Sequence, residues 1–109
     1  MAASSPAQVL SLTTTVGSED DARRLAQAVL EARLACVQLE RIESHFRWQG
    51  ALQAEAEIRL TFKSTPDRLP ALQAWLAGQH PYALPQLLWA LQDASPAYAD
   101  WVRREVDAG

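Results

Sequence analysis

The segment "AEAEIRLTFK", residues 54–63, constrains this chain more than any other stretch. Ala54, Ala56, Ile58, Leu60 and Phe62 share one parity, while Glu55, Glu57, Arg59, Thr61 and Lys63 share the other. Successive side chains of a strand point to opposite faces, so strict alternation predicts a strand covered on one face only. One-sided cover belongs to antiparallel sheets. The segment before it, "CVQLERIESHFRW", also reads as a strand, and Gln49-Gly50 between the two is a turn signal. The pair is therefore a long antiparallel hairpin. Val37 and Leu39 share one parity, but Ile42, Phe46 and Trp48 share the other. That switch near Glu40-Arg41 predicts a bulge or kink, because one extra residue flips the facing of everything after it.

The remaining elements frame the hairpin. "VLSLTTTVG", from Val9, is β-branched and apolar and reads as a strand that Gly17 closes. "SEDDARRLAQAVLEARLA" reads as a helix with Ser18 as its cap. Acids at 19–21 suit its positive end, and Ala22, Leu25, Ala26, Val29 and Leu30 form its buried stripe. "STPDRLPALQAWLAG" reads as a second helix. Pro66 suits its first turn, Pro70 delays the regular helix by a turn, and Gly78 suits its stop. "LPQLLWALQ" reads as a fourth strand whose unbroken apolar centre implies an inner position or cover by a partner. "SPAYADWVRREV" reads as a third helix with Ser95 at its cap. The order βαββαβ plus a C-terminal helix predicts an α+β, ferredoxin-like fold with a four-stranded antiparallel sheet. Residues 9–109 form its single domain, and residues 1–8 read as a disordered tail.

Bulk properties narrow the partners. A net charge of −3 with interspersed signs gives no basic stripe for nucleic acid. No apolar run reaches the ~20 residues of a bilayer span. One cysteine, Cys36, excludes an internal disulfide and suits a cytoplasmic setting. Trp48, Trp75, Trp89 and Trp101 are many for 109 residues. Some of them are expected at a subunit interface, where Trp is enriched, and an uncovered sheet face points to oligomerisation.

Candidate functional residues each carry a plainer reading. In "GQHPYALPQLLW", Pro81 and Pro85 fix backbone angles, so His80 reads first as a hydrogen-bonded residue in a rigid corner and second as a ligand. Cys36, between Ala35 and Val37, reads first as a small core residue. Cys36 and His80 are the only soft-metal candidates, and two ligands do not make a site. The acids and bases of the 54–63 strand read first as a solvated face with cross-strand pairs. The functional alternative sets Glu57 and Lys63 facing a cleft between subunits. No glycine-rich phosphate loop or G-x-S-x-G elbow is present.

The segments "ARLACVQL", "SHFRWQGALQAEAEIRLTFKST", "QHPYALPQLL" and "YADWVRREV", in that order, resemble the CutA divalent-cation tolerance family. The resemblance runs from Val9 to about Val106. It implies a tight homotrimer, similar in build to the PII-type regulators, with clefts between subunits and no defined catalytic reaction. Trp48, Glu57, Lys63, His80 and Tyr82 would line the clefts, and Phe46, Trp48, Trp89 and Trp101 would lie at interfaces. His80, Pro81, Tyr82 and Pro85 match the family's loop, but Ala83 and Gln86 stand where it carries acids. Phe46 replaces a common tyrosine, and Glu40-Arg41 replaces a Pro-Gly kink. Fewer carboxylates weaken a hard-cation site, so copper or another divalent cation is expected to bind weakly. Two alternatives are a PII-like module using Lys63 and Arg59 for a small anion or a partner protein, and a small hydrolase or isomerase with Glu57 as base.

Overall fold

In a computed structural model of the chain, residues 7–106 are described. Strand β1 spans Gln8–Val16, helix α1 Glu19–Glu31, and strands β2 and β3 Cys36–Trp48 and Ala51–Ser64. A 3-10 turn, Pro66–Arg68, leads into helix α2, Leu69–Gln79, followed by strand β4, Leu88–Asp93, and helix α3, Pro96–Val106. Most of the expected tail, residues 1–6, lies outside the described residues, whereas Gln8 already pairs with Asp93 in the sheet.

The four strands form one antiparallel sheet in the order β2-β3-β1-β4. Leu10, Leu12, Leu60 and Phe62 are fully buried on one face, against Leu25 and Val29 of α1 and Leu72 and Leu76 of α2. Helix α3 lies by the opposite face, at the end remote from the hairpin tip. There Val9, Val102 and Val106 are buried apart from the main core.

Local chemistry sets the element ends. The Ser18 hydroxyl accepts from the Asp21 N–H and caps α1. That helix stops at Glu31, short of the expected Ala35, because Arg33 adopts φ 55°. The Leu34 N–H then reaches back to the Val29 carbonyl, which closes the helix end. Pro70 falls in the first turn of α2, as expected. Gly78 lies inside that helix, and extended His80 ends it. Gln49 and Gly50 both have positive φ, the signature of a type I′ hairpin turn.

Two expectations about the sheet need correction. The β2–β3 register runs without interruption from Cys36↔Lys63 to Trp48↔Ala51, so no bulge occurs at Glu40-Arg41. The phase switch has another cause. The β1–β3 pairing ends at Val16↔Ile58, and beyond it β2 and β3 continue alone as a ribbon. Val37 and Leu39 face the helices, whereas Phe46 and Trp48 belong to the ribbon and face the other way. Likewise β3 is buried at alternate residues only from Ile58 onward, and Ala54 and Ala56 are exposed. The second correction concerns β4, which is an edge strand with all six residues exposed, not an inner one.

Candidate functional site

The site begins at a gap in the sheet. Strand β4 pairs with β1 only as far as Thr13↔Leu88, which leaves Thr14 to Val16 without a neighbour on that edge. Backbone polar groups buried without partners are costly. His80 fills this role. Its Nδ1 accepts from the Tyr82 N–H at 3.0 Å. A neutral imidazole has one donor and one acceptor nitrogen, so the proton sits on Nε2. That nitrogen donates toward the Thr14 hydroxyl at 2.9 Å and the Thr15 carbonyl at 3.1 Å. Burial pushes the His80 pKa below its usual value, against the opposing pull of the Thr15 carbonyl and Asp21. The residue is a neutral corner brace with both nitrogens in use.

Tyr82 extends the chain of contacts. Its hydroxyl donates to Glu57 Oε2 at 3.0 Å. Burial, the hydrogen bond to Glu57 and nearby acids push its pKa up to about 12. Gly17 makes room for this arrangement, since a Cβ there would stand 3.1 Å from the Tyr82 hydroxyl oxygen. One hydrogen-bonded path thus runs from the free edge of β1, through His80 and Tyr82, to the carboxylate of Glu57.

This path forms one wall of a cleft of about 750 Å³. The hairpin ribbon contributes Ser44, His45, Phe46, Trp48 and Glu57, from its base at Glu57 to its tip at Trp48, and the loop after α2 contributes Pro81 to Leu84 and Gln86. Cross-strand pairing of Ile42 with Glu57, Ser44 with Glu55 and Phe46 with Gln53 puts the two aromatic rings on the carboxylate's side of the ribbon. Phe46 is 39% and Trp48 53% exposed. Ala83 and Gln86, the positions where acids were expected from the resemblance, both line the cleft. Glu57 is its one carboxylate among the described residues, and no lysine or arginine lines it.

The structure brings together Trp48, Glu57 and Tyr82 around this space, with His80 immediately behind, but separates the other candidates. Lys63 is paired in register with Ser11 and Cys36, at the far end of the sheet. It lines a separate recess with Val9, Gln92 and Tyr98. Six residues of extended strand, ~20 Å, divide it from Glu57, so the two do not share a cleft within one chain. Cys36 and His80 are likewise apart. The half-buried thiol is held protonated by burial and by Glu105, which raise its pKa. Arg59 pairs with Glu40 at 2.9 Å, a cross-strand ion pair on the polar face of β3. Trp89 and Trp101 are 51% and 43% exposed, the latter stacked on Tyr98. Trp75 packs against the core. Sequence reasoning missed Thr14, Thr15 and Gly17. Gly17 carried a signal, a glycine closing a β-branched strand, but its tyrosine neighbour lies too far along the chain to be seen.

The family model of the CutA1 divalent ion tolerance protein matches residues 10–105. The divalent-cation tolerance protein CutA of Thermus thermophilus is 36% identical over 92 residues, 82% of this chain and 89% of that protein. Protein CutA of Bos taurus is 30% identical over 105 residues, 94% of this chain but 60% of the bovine length. The structure of CutA from Synechococcus elongatus matches with a TM-score of 0.88 at 48% identity, over 93% of this chain and 92% of that one. A structure of the same protein complexed with a Bis-Tris molecule matches at 0.83 and 46%, over 91% and 94%.

Proposed function

Because the chain belongs to the CutA1 divalent ion tolerance family, we propose that it acts in divalent-cation tolerance as a cytoplasmic, non-enzymatic homotrimer. Its ligand clefts lie between subunits, and its own affinity for copper or other divalent cations is weak. The observation that carries this reading is the uncovered hairpin. Beyond Ile58 it is a two-stranded ribbon, and such ribbons are marginal without cover. It exposes Phe46, Trp48 and Leu52, while the edge strand β4 exposes Leu88, Trp89 and Leu91. Apolar surface and open edges of this extent favour a neighbour, and a closed ring of copies would cover both.

Two placements support weak metal binding. Both His80 nitrogens are engaged within the chain, and Cys36 lies at the other end of the sheet in its thiol form. Light scattering tests the assembly: three times the 12.0 kDa of one chain is expected at micromolar concentration. A monomer would overturn the reading. Calorimetry with Cu²⁺ and Zn²⁺ should show weak binding, and a tight stoichiometric site would contradict it. That the Synechococcus protein has been solved with Bis-Tris supports a small organic molecule, rather than a metal alone, as occupant of such a build.

A further inference from the structure

We propose that the recess between the start of α2 and the last turn of α3 is a site for inorganic phosphate. Arg68, Arg103 and the Thr65 hydroxyl would hold the anion, and Asp67 would sort it from sulfate. The recess shares no residue with the cleft beside the hairpin, and the inference needs no part of that reading.

The donors come from two elements of one chain. Thr65 and Arg68 bracket the turn that follows β3, and Arg103 and Val106 belong to the last turn of α3. With Asp67 they line a pocket of about 100 Å³. One water takes about 30 Å³ of the liquid, so the space suits a single tetrahedral oxyanion and nothing much larger.

Three features leave this recess short of a partner. Thr65 is 3% exposed, yet its Oγ1 makes no hydrogen bond among the described residues. A buried hydroxyl in that state is costly, and helix capping does not explain it, because the side chain caps nothing. Arg68 is half-buried, and no carboxylate pairs with it among the described residues. Arg103 meets Asp67 only at 3.8 Å, with both side chains mostly exposed, and a pair of that kind contributes little. Two guanidiniums and a hydroxyl are oxyanion donors. They outnumber the one carboxylate, so a cation entering here would meet net repulsion.

Asp67 decides which oxyanion fits. The Thr65 hydroxyl stands close enough to lower the Asp67 pKa, ahead of the effects of Arg103 and Arg68, but without hydrogen-bonding geometry. The carboxylate is therefore ionised at neutral pH and can only accept. Sulfate has no proton to offer it and is repelled. Inorganic phosphate keeps a P–OH at neutral pH, which donates to Asp67 while the other oxygens accept from the arginines and Thr65.

The test titrates the full chain with sodium phosphate and with sodium sulfate by calorimetry, at pH 7 in a zwitterionic buffer of matched ionic strength. Phosphate is expected to bind about tenfold tighter than sulfate. Charge alone predicts the reverse, since sulfate is the more highly charged of the two at that pH. Arg68→Gln and Arg103→Gln should each weaken phosphate about tenfold, and Thr65→Val about fivefold. Asp67→Asn should raise the affinity for sulfate and bring the two anions within about twofold. The proposal is overturned if phosphate does not bind, if sulfate binds as tightly, if both arginine variants bind phosphate as the parent does, or if Asp67→Asn keeps the full preference. Thr65 is buried, so Thr65→Val counts only where its thermal unfolding stays cooperative; Arg103 and Asp67 are exposed, and their variants decide the matter in either case.

Discussion

Replacing His80 with Ala removes a residue that serves three partners at once. The Thr14 hydroxyl, on a side chain with no exposed surface, loses its contact at 2.9 Å. The Thr15 carbonyl loses a donor at 3.1 Å, and the Tyr82 N–H loses an acceptor at 3.0 Å. The Tyr82 N–H lies in the loop after α2, where water can substitute, whereas Thr15 belongs to β1 and is buried. Thr14 cannot be reached in this way. One stranded buried group costs about 1–3 kcal/mol and an ordinary hydrogen bond about 1, so His80→Ala should destabilise by roughly 2–3 kcal/mol. Thr14→Val keeps the shape and removes the hydroxyl, and Nε2–H retains the Thr15 carbonyl, so about 1 kcal/mol is expected. In the double variant nothing polar is stranded at position 14. The two losses should therefore fall short of additive by about 1 kcal/mol. Urea unfolding followed by tryptophan fluorescence at pH 8 measures each, at one fixed chain concentration because assembly adds to stability. Additive losses, or a His80→Ala cost below about 0.5 kcal/mol, would refute the assignment of His80 as a brace for the edge of β1.

Three further outcomes follow from the same path. Since the His80 pKa lies below its unfolded value near 6.5, the unfolded chain takes up that proton first. The stability it confers is complete above pH 6.5 and is lost as pH falls toward the folded value; the stability difference between the parent chain and His80→Ala should shrink over that range. In a Tyr98→Phe background the absorbance change of tyrosinate near 295 nm reports Tyr82 alone; its midpoint should lie at about 12 and move down in Glu57→Gln. This raised pKa stabilises the fold below pH ~10 and the contribution disappears as pH rises through 12. Gly17→Ala should shift the Tyr82 hydroxyl by a few tenths of an ångström, seen as a lower tyrosinate midpoint with a stability loss below about 1.5 kcal/mol.

The sequence made the sheet legible wherever a pattern was local. The alternation of β3 marked its buried side, and residues 49 and 50 form the turn their identities suggested. Where cover depends on distant elements, the pattern misled. The parity switch in β2 looks the same whether a bulge turns the strand or the neighbouring strand ends. Only the β1 register, stopping at Val16↔Ile58, distinguishes them. The unbroken apolar run of β4 implies an inner position or cover by a partner, and the edge position excludes only the first, since hydrophobicity reports that a strand is covered and not what covers it. At the site, Pro81 and Pro85 were enough to make His80 a structural corner. Its partners at Thr14 and Thr15 were not, because sixty-five or more residues separate them in the chain. Glu57 and Lys63 share a face but lie ~20 Å apart along one strand, so within one chain they stand in separate recesses.

The loop's departures from the family pattern acquire a meaning once this path is drawn. Ala83 and Gln86 line the cleft without charge, but neither belongs to the path that fixes Glu57. The braces, His80 and Tyr82, stand as the pattern has them, as do Pro81 and Pro85. A single carboxylate with a fixed direction is a more selective group than several mobile ones, because its remaining lone pairs point to one place. The dependence also runs backwards. A proton on His80 Nδ1 removes the acceptor of the Tyr82 N–H, and Tyr82 is what holds Glu57. Acidification therefore loosens the carboxylate's support at the pH where the histidine charges.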